Sequence, residues 1–358
     1  MLAEHTQVAG RSSAPSAAAA RSTGLAFDWA MAVLSAWFLG GLYLDGWAHN
    51  HGLVDDTFFT PWHAVFYSGY AAVALLTLGA VLAGVLRGRP WYRALPDGHE
   101  LALLGVPLFA LGGVGDLTWH TLFGIEESIE ALISPSHLTL ATSMALILVG
   151  PLRAAIRRAA ASPPATGAPA ARLHERWLAT GPAAISLAYT IALLAFMTQF
   201  AHPFVHLIAR SSRYGDVSNA LGATSVLLQS ALLVGPVLFA IRRIALPPGA
   251  LTLTLALTTA LIALMEDRYE LLPAAVGAGV AADLMLALLR PGSARPTAQH
   301  IFAFSLPVLL YLLYFLNLHL TGGLRWSIHM WGGVSFLAGI TGLLLSILTT
   351  PAATRAET

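Results

Sequence analysis

The sequence predicts an all-α, polytopic integral membrane protein of about ten transmembrane helices, with both termini in the cytoplasm. Three observations carry that expectation. The 358-residue chain is 56% hydrophobic and 10% charged, with a mean hydropathy of +0.69, far too apolar for a soluble domain. Apolar segments of spanning length, separated by short polar stretches, fill it almost from end to end. All 19 basic residues are Arg, and they sort by side: only Arg210, Arg213, Arg268 and Arg325 fall opposite the other 15, which the positive-inside rule makes cytoplasmic. The net charge of +1 offers nothing to nucleic acid.

In order, residues 1–24 are Ala- and Ser-rich, carry Arg11 and Arg21, and read as a disordered tail with no cleavable signal, because the first apolar run is long enough to span. A four-helix half, 25–158, holds segments at roughly 26–49, 62–86, 101–123 and 134–156. The Ala/Pro/Ser/Gly stretch 159–172 reads as a cytoplasmic linker. A six-helix half, 173–350, holds segments at roughly 178–206, 217–241, 250–267, 270–289, 300–320 and 326–348, and 351–358 is a tail. The eighth segment is the weakest, since it contains Pro273 and Asp283, and only the turn Glu266-Asp-Arg-Tyr-Glu270 separates it from the seventh.

Nine of the 13 His lie opposite the Arg-rich face, at segment ends, together with most acidic residues. Solvated loops alone would not sort His this way. Within that set a motif occurs twice. Asp45-Gly-Trp-Ala-His49 is followed by Pro61-Trp-His63, and Asp116-Leu-Thr-Trp-His120 by Pro135-Ser-His137. Asp and His at i and i+4 share one helix face, and a His opening the next helix can complete an Asp/His/His metal site. A charged Asp inside a span is expensive unless paired or metal-bound. The plainer reading is a hydrogen-bonded Asp–His pair without metal, and the recurrence of the same spacing argues against it. The chain has no Cys, so any transition metal is held by imidazole, carboxylate, amide or water.

These two motifs, in this order, resemble those of the C subunit of the copper membrane monooxygenases, the particulate methane and ammonia monooxygenase family. The resemblance covers about residues 27–155. It implies copper at Asp45, His49 and His63, and a second site at Asp116, His120 and His137, where the family has Asn in place of Asp116. It also implies a hydrophobic substrate and companion subunits. The loop between His120 and His137 is longer than the family's, and residues 175–350 match no family motif.

Around the second motif, Glu126, Glu127 and Glu130 are candidates for support of the metal. Glu127 is expected to act as proton relay or ligand, while Glu126 reads equally well as part of a solvated acidic loop. His202 and His206, again i and i+4 but split by Pro203, are expected to form a third metal site or to complete one of the first two; an interfacial pair is the alternative. His319, His329, Trp326 and Trp331 fit an interfacial aromatic belt. The chain has no nucleotide-binding Gly-x-x-x-x-Gly-Lys and no Gly-x-Ser-x-Gly.

The leading expectation is a plasma-membrane copper enzyme of the monooxygenase type, acting with O2 on a small hydrophobic substrate at an extracytoplasmic Asp/His/His site formed by Asp116, His120, His137 and Glu127. It would work in the bilayer, alone as a homo-oligomer or with further subunits. The alternatives are a copper or zinc binding or transport protein without redox chemistry, and a transmembrane zinc hydrolase. The Arg distribution makes the orientation testable: cysteines introduced in the 50–61 loop should react with an impermeant thiol reagent from outside the cell. Reaction only from the cytoplasmic side would invert the topology and the sidedness of both sites.

Overall fold

The computed structural model describes residues 17–53, 59–124, 126, 128–161, 172–210 and 215–350. Ten main helices account for nearly all of them: α1 Ala17–Asn50, α2 Pro61–Leu86, α3 Glu100–Phe123, α4 Pro135–Ala161, α5 Leu173–Met197, α6 Asp216–Ile241, α7 Ala250–Leu264, α8 Leu272–Leu289, α9 Pro296–Leu320 and α10 Ile328–Thr349. In lipid every backbone polar group has to be satisfied within its own segment, and helices do this for an apolar run. Among the described residues nine helices are long and apolar enough to cross a membrane, so the chain is an all-helical, multi-pass membrane protein.

Several boundaries depart from the sequence reading: α1 begins at Ala17, inside the stretch expected to be a disordered tail, and α4 runs to Ala161, into the expected linker. The fifth segment does not run to residue 206: α5 stops at Met197, and residues 199–210 form short helical turns. The seventh is the short one, since α7 has only 15 residues and rises about 22 Å, below the ~30 Å of a hydrocarbon core. The eighth is sound, because Pro273 sits in the first turn of α8, where no N–H is lost. Asp283, on α8, accepts from the Leu251 and Thr252 backbone N–H groups at 3.2 and 2.9 Å and from the Thr252 hydroxyl at 2.6 Å. It thus caps the start of α7 from a neighbouring helix, where the helix dipole favours a negative charge.

The halves are not separate domains, since one core cluster runs from Met31 on α1 to Ala338 on α10. Helix α5 is the hub, packing on α1, α4, α6 and α7. The buried Tyr43 of α1 donates to the Ala192 carbonyl of α5 at 2.8 Å.

Two helix pairs place the functional ends, and both close on glycine. A Cβ at Gly41 of α1 would lie 2.6 Å from the Phe66 Cα of α2, and one at Gly69 of α2 would lie 2.6 Å from the Phe38 Cα of α1. On α3, a Cβ at Gly105 would meet the Ser143 carbonyl of α4 at 2.8 Å, and one at Gly112 would meet Leu140 at 3.0 Å. Small residues let helix backbones approach where apolar burial gives no preference between lipid and protein.

The opposite end of the bundle is tied differently. Asp28 of α1 and His99, just before α3, are fully buried. His99 Nε2 lies 2.7 Å from Asp28 Oδ1, and Arg158 of α4 reaches Asp28 Oδ2 at 2.6 Å. One buried carboxylate thereby holds three helices together, with both oxygens engaged.

Candidate metal centre

The first trio forms where α1 ends and α2 begins. Gly41 and Asp45 are one turn apart on α1, so the close crossing at Gly41 carries the carboxylate toward α2. Thr60 caps α2, its hydroxyl accepting the His63 N–H at 3.1 Å, with Pro61 in the first turn. This fixes His63 at the third helical position. Its Nε2 lies 3.4 Å from Asp45 Oδ2. His49, one turn beyond Asp45, donates from Nδ1 to the Asp45 backbone carbonyl at 2.9 Å. The His49 and His63 ring centres are 6.0 Å apart.

The second trio repeats the construction. Gly112 stands one turn before Asp116, as Gly41 does before Asp45. Ser134 caps α4, accepting the His137 N–H at 3.4 Å, and Pro135 follows in the first turn. Asp116 is 1% exposed. Its Oδ1 lies 3.1 Å from His137 Nε2 and 3.5 Å from His120 Nε2. Both rings are held from behind: His137 Nδ1 by the Ser134 hydroxyl at 2.9 Å, and His120 Nδ1 by Glu126 Oε2 at 3.0 Å. In each trio one ligand atom from every residue lies within 4.8 Å of the others.

The hydrogen bonds assign the chemistry of the helix histidines. A backbone carbonyl can only accept, so Nδ1 carries the proton in His49, against the Asp45 carbonyl, and in His120, against the Gly124 carbonyl at 3.4 Å, and Nε2 of the neutral ring presents a lone pair. In the second trio that lone pair faces an Asp116 oxygen, another acceptor. Two acceptors 3.5 Å apart require a cation between them or a second proton on the ring. Asp/His/His with the far ring nitrogens pinned is a donor set that suits copper, zinc or iron, and the buried carboxylate supplies charge to match.

Tyr67 of α2 stands between the trios. Its ring meets His63 edge-on at 6.2 Å, and a Cβ on Gly113 of α3 would touch it at 3.0 Å. Asp45 and Asp116 both act electrostatically on its phenol, and Asp116 and His137 act on Asp45. The trios share one electrostatic neighbourhood.

The remaining candidates divide. Glu127 lies outside the described residues. Glu130 is exposed. Among the described residues, Glu126 reaches the second trio, and for it a solvated loop was the competing expectation. The structure does not bring His202 and His206 together with a third His or carboxylate among the described residues. His202 is buried and caps the single turn Pro203–His206, its Nδ1 accepting the Phe204 N–H at 3.2 Å, while His206 is exposed. Pro203 restarts the helix here, so the i, i+4 stacking expected of a continuous helix is not built. Burial, with His206 beside it, pushes the His202 imidazole down to about 3. Trp326 is no belt residue: it is buried and donates to Asn219 Oδ1 at 2.8 Å. His319 and His329 are exposed.

Comparison with family models, with curated proteins and with solved structures gives no match in any of the three. Fold and site together define a helical multi-pass membrane protein with two adjacent Asp/His/His clusters of metal-ligand geometry.

Two outcomes follow. Asp116→Asn is isosteric and relieves a buried charge, so it should keep the fold. It should weaken metal binding at the second trio by at least 10- to 100-fold and spare the first, read as metal stoichiometry with and without chelator; full occupancy with unchanged chelator sensitivity would exclude Asp116 as a ligand. For His202, the folded ring stays neutral while the unfolded one protonates below about 6.5, so this group's stability contribution is complete above that pH and is lost as pH falls toward 3. Melting of the wild type should drop by roughly 1 kcal/mol per pH unit below about 6.5 from this group. His202→Asn, which retains a capping acceptor, should remove that slope, and an unaltered slope would assign the acid sensitivity elsewhere.

Proposed function

We propose that this chain is a membrane-embedded copper protein functionally akin to the copper membrane monooxygenases, oxidising a small hydrophobic substrate with O2 beside the second trio. The observation that carries this reading is the recurrence, in both copies of one motif, of a buried or nearly buried Asp with two His whose ligand atoms lie within 4.8 Å of one another. The order of the motifs, their duplication and their resemblance to the family's C subunit support copper over other ions. A copper ion held there would supply the one-electron chemistry that O2 requires.

The chain's own residues supply the rest. His120 and His137 would hold the ion with Asp116, and Glu126 and Ser134 keep their rings from turning. Leu122, Phe123, Ile133 and Leu138 are exposed on the helices flanking this trio, an apolar surface across which a substrate dissolved in lipid would approach. The extracytoplasmic placement of the trios and the involvement of companion subunits or further copies belong to the same proposal.

Metal transport is less well supported. Onward passage needs free ligands toward the other end of the bundle, and carboxylates there are engaged: Asp28 with His99 and Arg158, Asp283 with the start of α7, Glu100 with Arg153 and Arg157. A zinc hydrolase remains the competing chemistry for the same donors, and metal identity separates the two.

The test is metal analysis with electron paramagnetic resonance on the purified protein beside His137→Ala. Expected is copper at both trios in the wild type and at the first trio alone in the variant. Zinc without copper, with lipid amidase or esterase activity, would overturn the redox reading; a protein that holds no metal would overturn the site itself.

A further inference from the structure

The two trios differ in what stands behind the helix histidine. In the first, His49 Nδ1 donates to a neutral backbone carbonyl. In the second, His120 Nδ1 lies 3.0 Å from the Glu126 carboxylate in a charge-pair contact, both side chains about nine-tenths buried. The chain is bent to make this contact. Helix α3 ends at Phe123, and Gly124 takes a φ of 87°, a left-handed value that favours glycine. That turn reverses the chain, and Glu126 comes back over the ring of His120. Gly124 contributes its own carbonyl 3.4 Å from the same nitrogen. His120 therefore sits between two carboxylates, Glu126 at Nδ1 and Asp116 at Nε2.

We infer that Glu126 is a positioning residue that makes the second trio a site for divalent rather than monovalent cations. This rests on the reading of the trios as metal sites. Two ionised carboxylates joined through one neutral imidazole carry two negative charges, which a divalent ion cancels and a monovalent ion leaves half-compensated. In a water-poor helix bundle uncancelled charge is costly, so charge matching decides which ion is held. The carboxylate also raises the basicity of the ligating Nε2 through the ring, a further gain for the more strongly polarising ion. Glu126 touches neither the ion nor the substrate; it acts through His120.

The experiment uses the full-length chain in detergent, with His63→Ala disabling the first trio, and compares Zn(II) with redox-inert Ag(I). In that background Glu126→Gln should lose on the order of 10- to 100-fold in Zn(II) affinity and much less in Ag(I) affinity, inverting or flattening the preference. Glu126→Asp, which keeps the charge on a shorter arm, should retain the divalent preference and covers the case in which the amide variant fails to fold. Equal loss of both ions in Glu126→Gln would overturn the inference, because a purely steric prop does not discriminate charge. Unchanged Zn(II) affinity would overturn it as well. A wild type that binds neither ion would instead overturn the metal reading of the trios, and this inference with it.

Discussion

A carboxylate inside an apolar helix bundle must be met by a cation or by donors, since an uncompensated buried charge costs several kcal/mol. Asp28, Asp45 and Asp116 impose that demand here. Asp28 meets it with His99 and Arg158 and thereby locks α1, α3 and α4 together at one end. Asp45 meets it at the other end with His49 and His63, and Asp116 with His120, His137 and the Ser136 hydroxyl, none of which brings a permanent charge. The contrast explains why one end reads as structure and the other as a site. Arginine brings a permanent charge that closes the account around Asp28, whereas neutral histidine does so only with an added proton or a metal.

The helix crossings make those meetings possible. Gly41 stands four residues before Asp45 and Gly112 four before Asp116; a side chain at Gly41 would collide with the Phe66 backbone, and one at Gly112 would crowd Leu140 and Thr139 on the partner helix. Each Asp rises one turn above a point of close contact and so faces the first turn of the following helix. There the cap takes over. Thr60 and Ser134, each followed by Pro, hold His63 and His137 at the third helical position and give them a defined starting direction. The unit that repeats is therefore longer than the ligands: Gly-x3-Asp-x3-His, a turn, then Ser/Thr-Pro-x-His.

Divergence between the copies is concentrated behind the rings. A neutral carbonyl supports His49, while a carboxylate returned by Gly124 supports His120. Two ligand sets of identical composition thus differ in charge and in the rigidity of one imidazole. Tyr67 between them is within electrostatic reach of both carboxylates, so an ion bound at either trio changes the field at the other.

Much of this was legible in the residues alone. Composition and hydrophobic run length determined a multi-pass helical protein, because lipid leaves an apolar segment few other ways to satisfy its backbone. The i, i+4 spacing determined that Asp45 pairs with His49 and Asp116 with His120, because helix periodicity is local. What spans cannot announce is where two helices touch. That His63 and His137 come back onto those carboxylates was decided by glycine contacts between helices, and the return of Glu126 onto His120 by the left-handed turn at Gly124. The end of α5 at Met197 leaves His202 and His206 on the separate single turn Pro203–His206, with Pro203 in its first turn. Pairing between distant residues depends on backbone approach in three dimensions, and a one-dimensional pattern records only the residues that permit it.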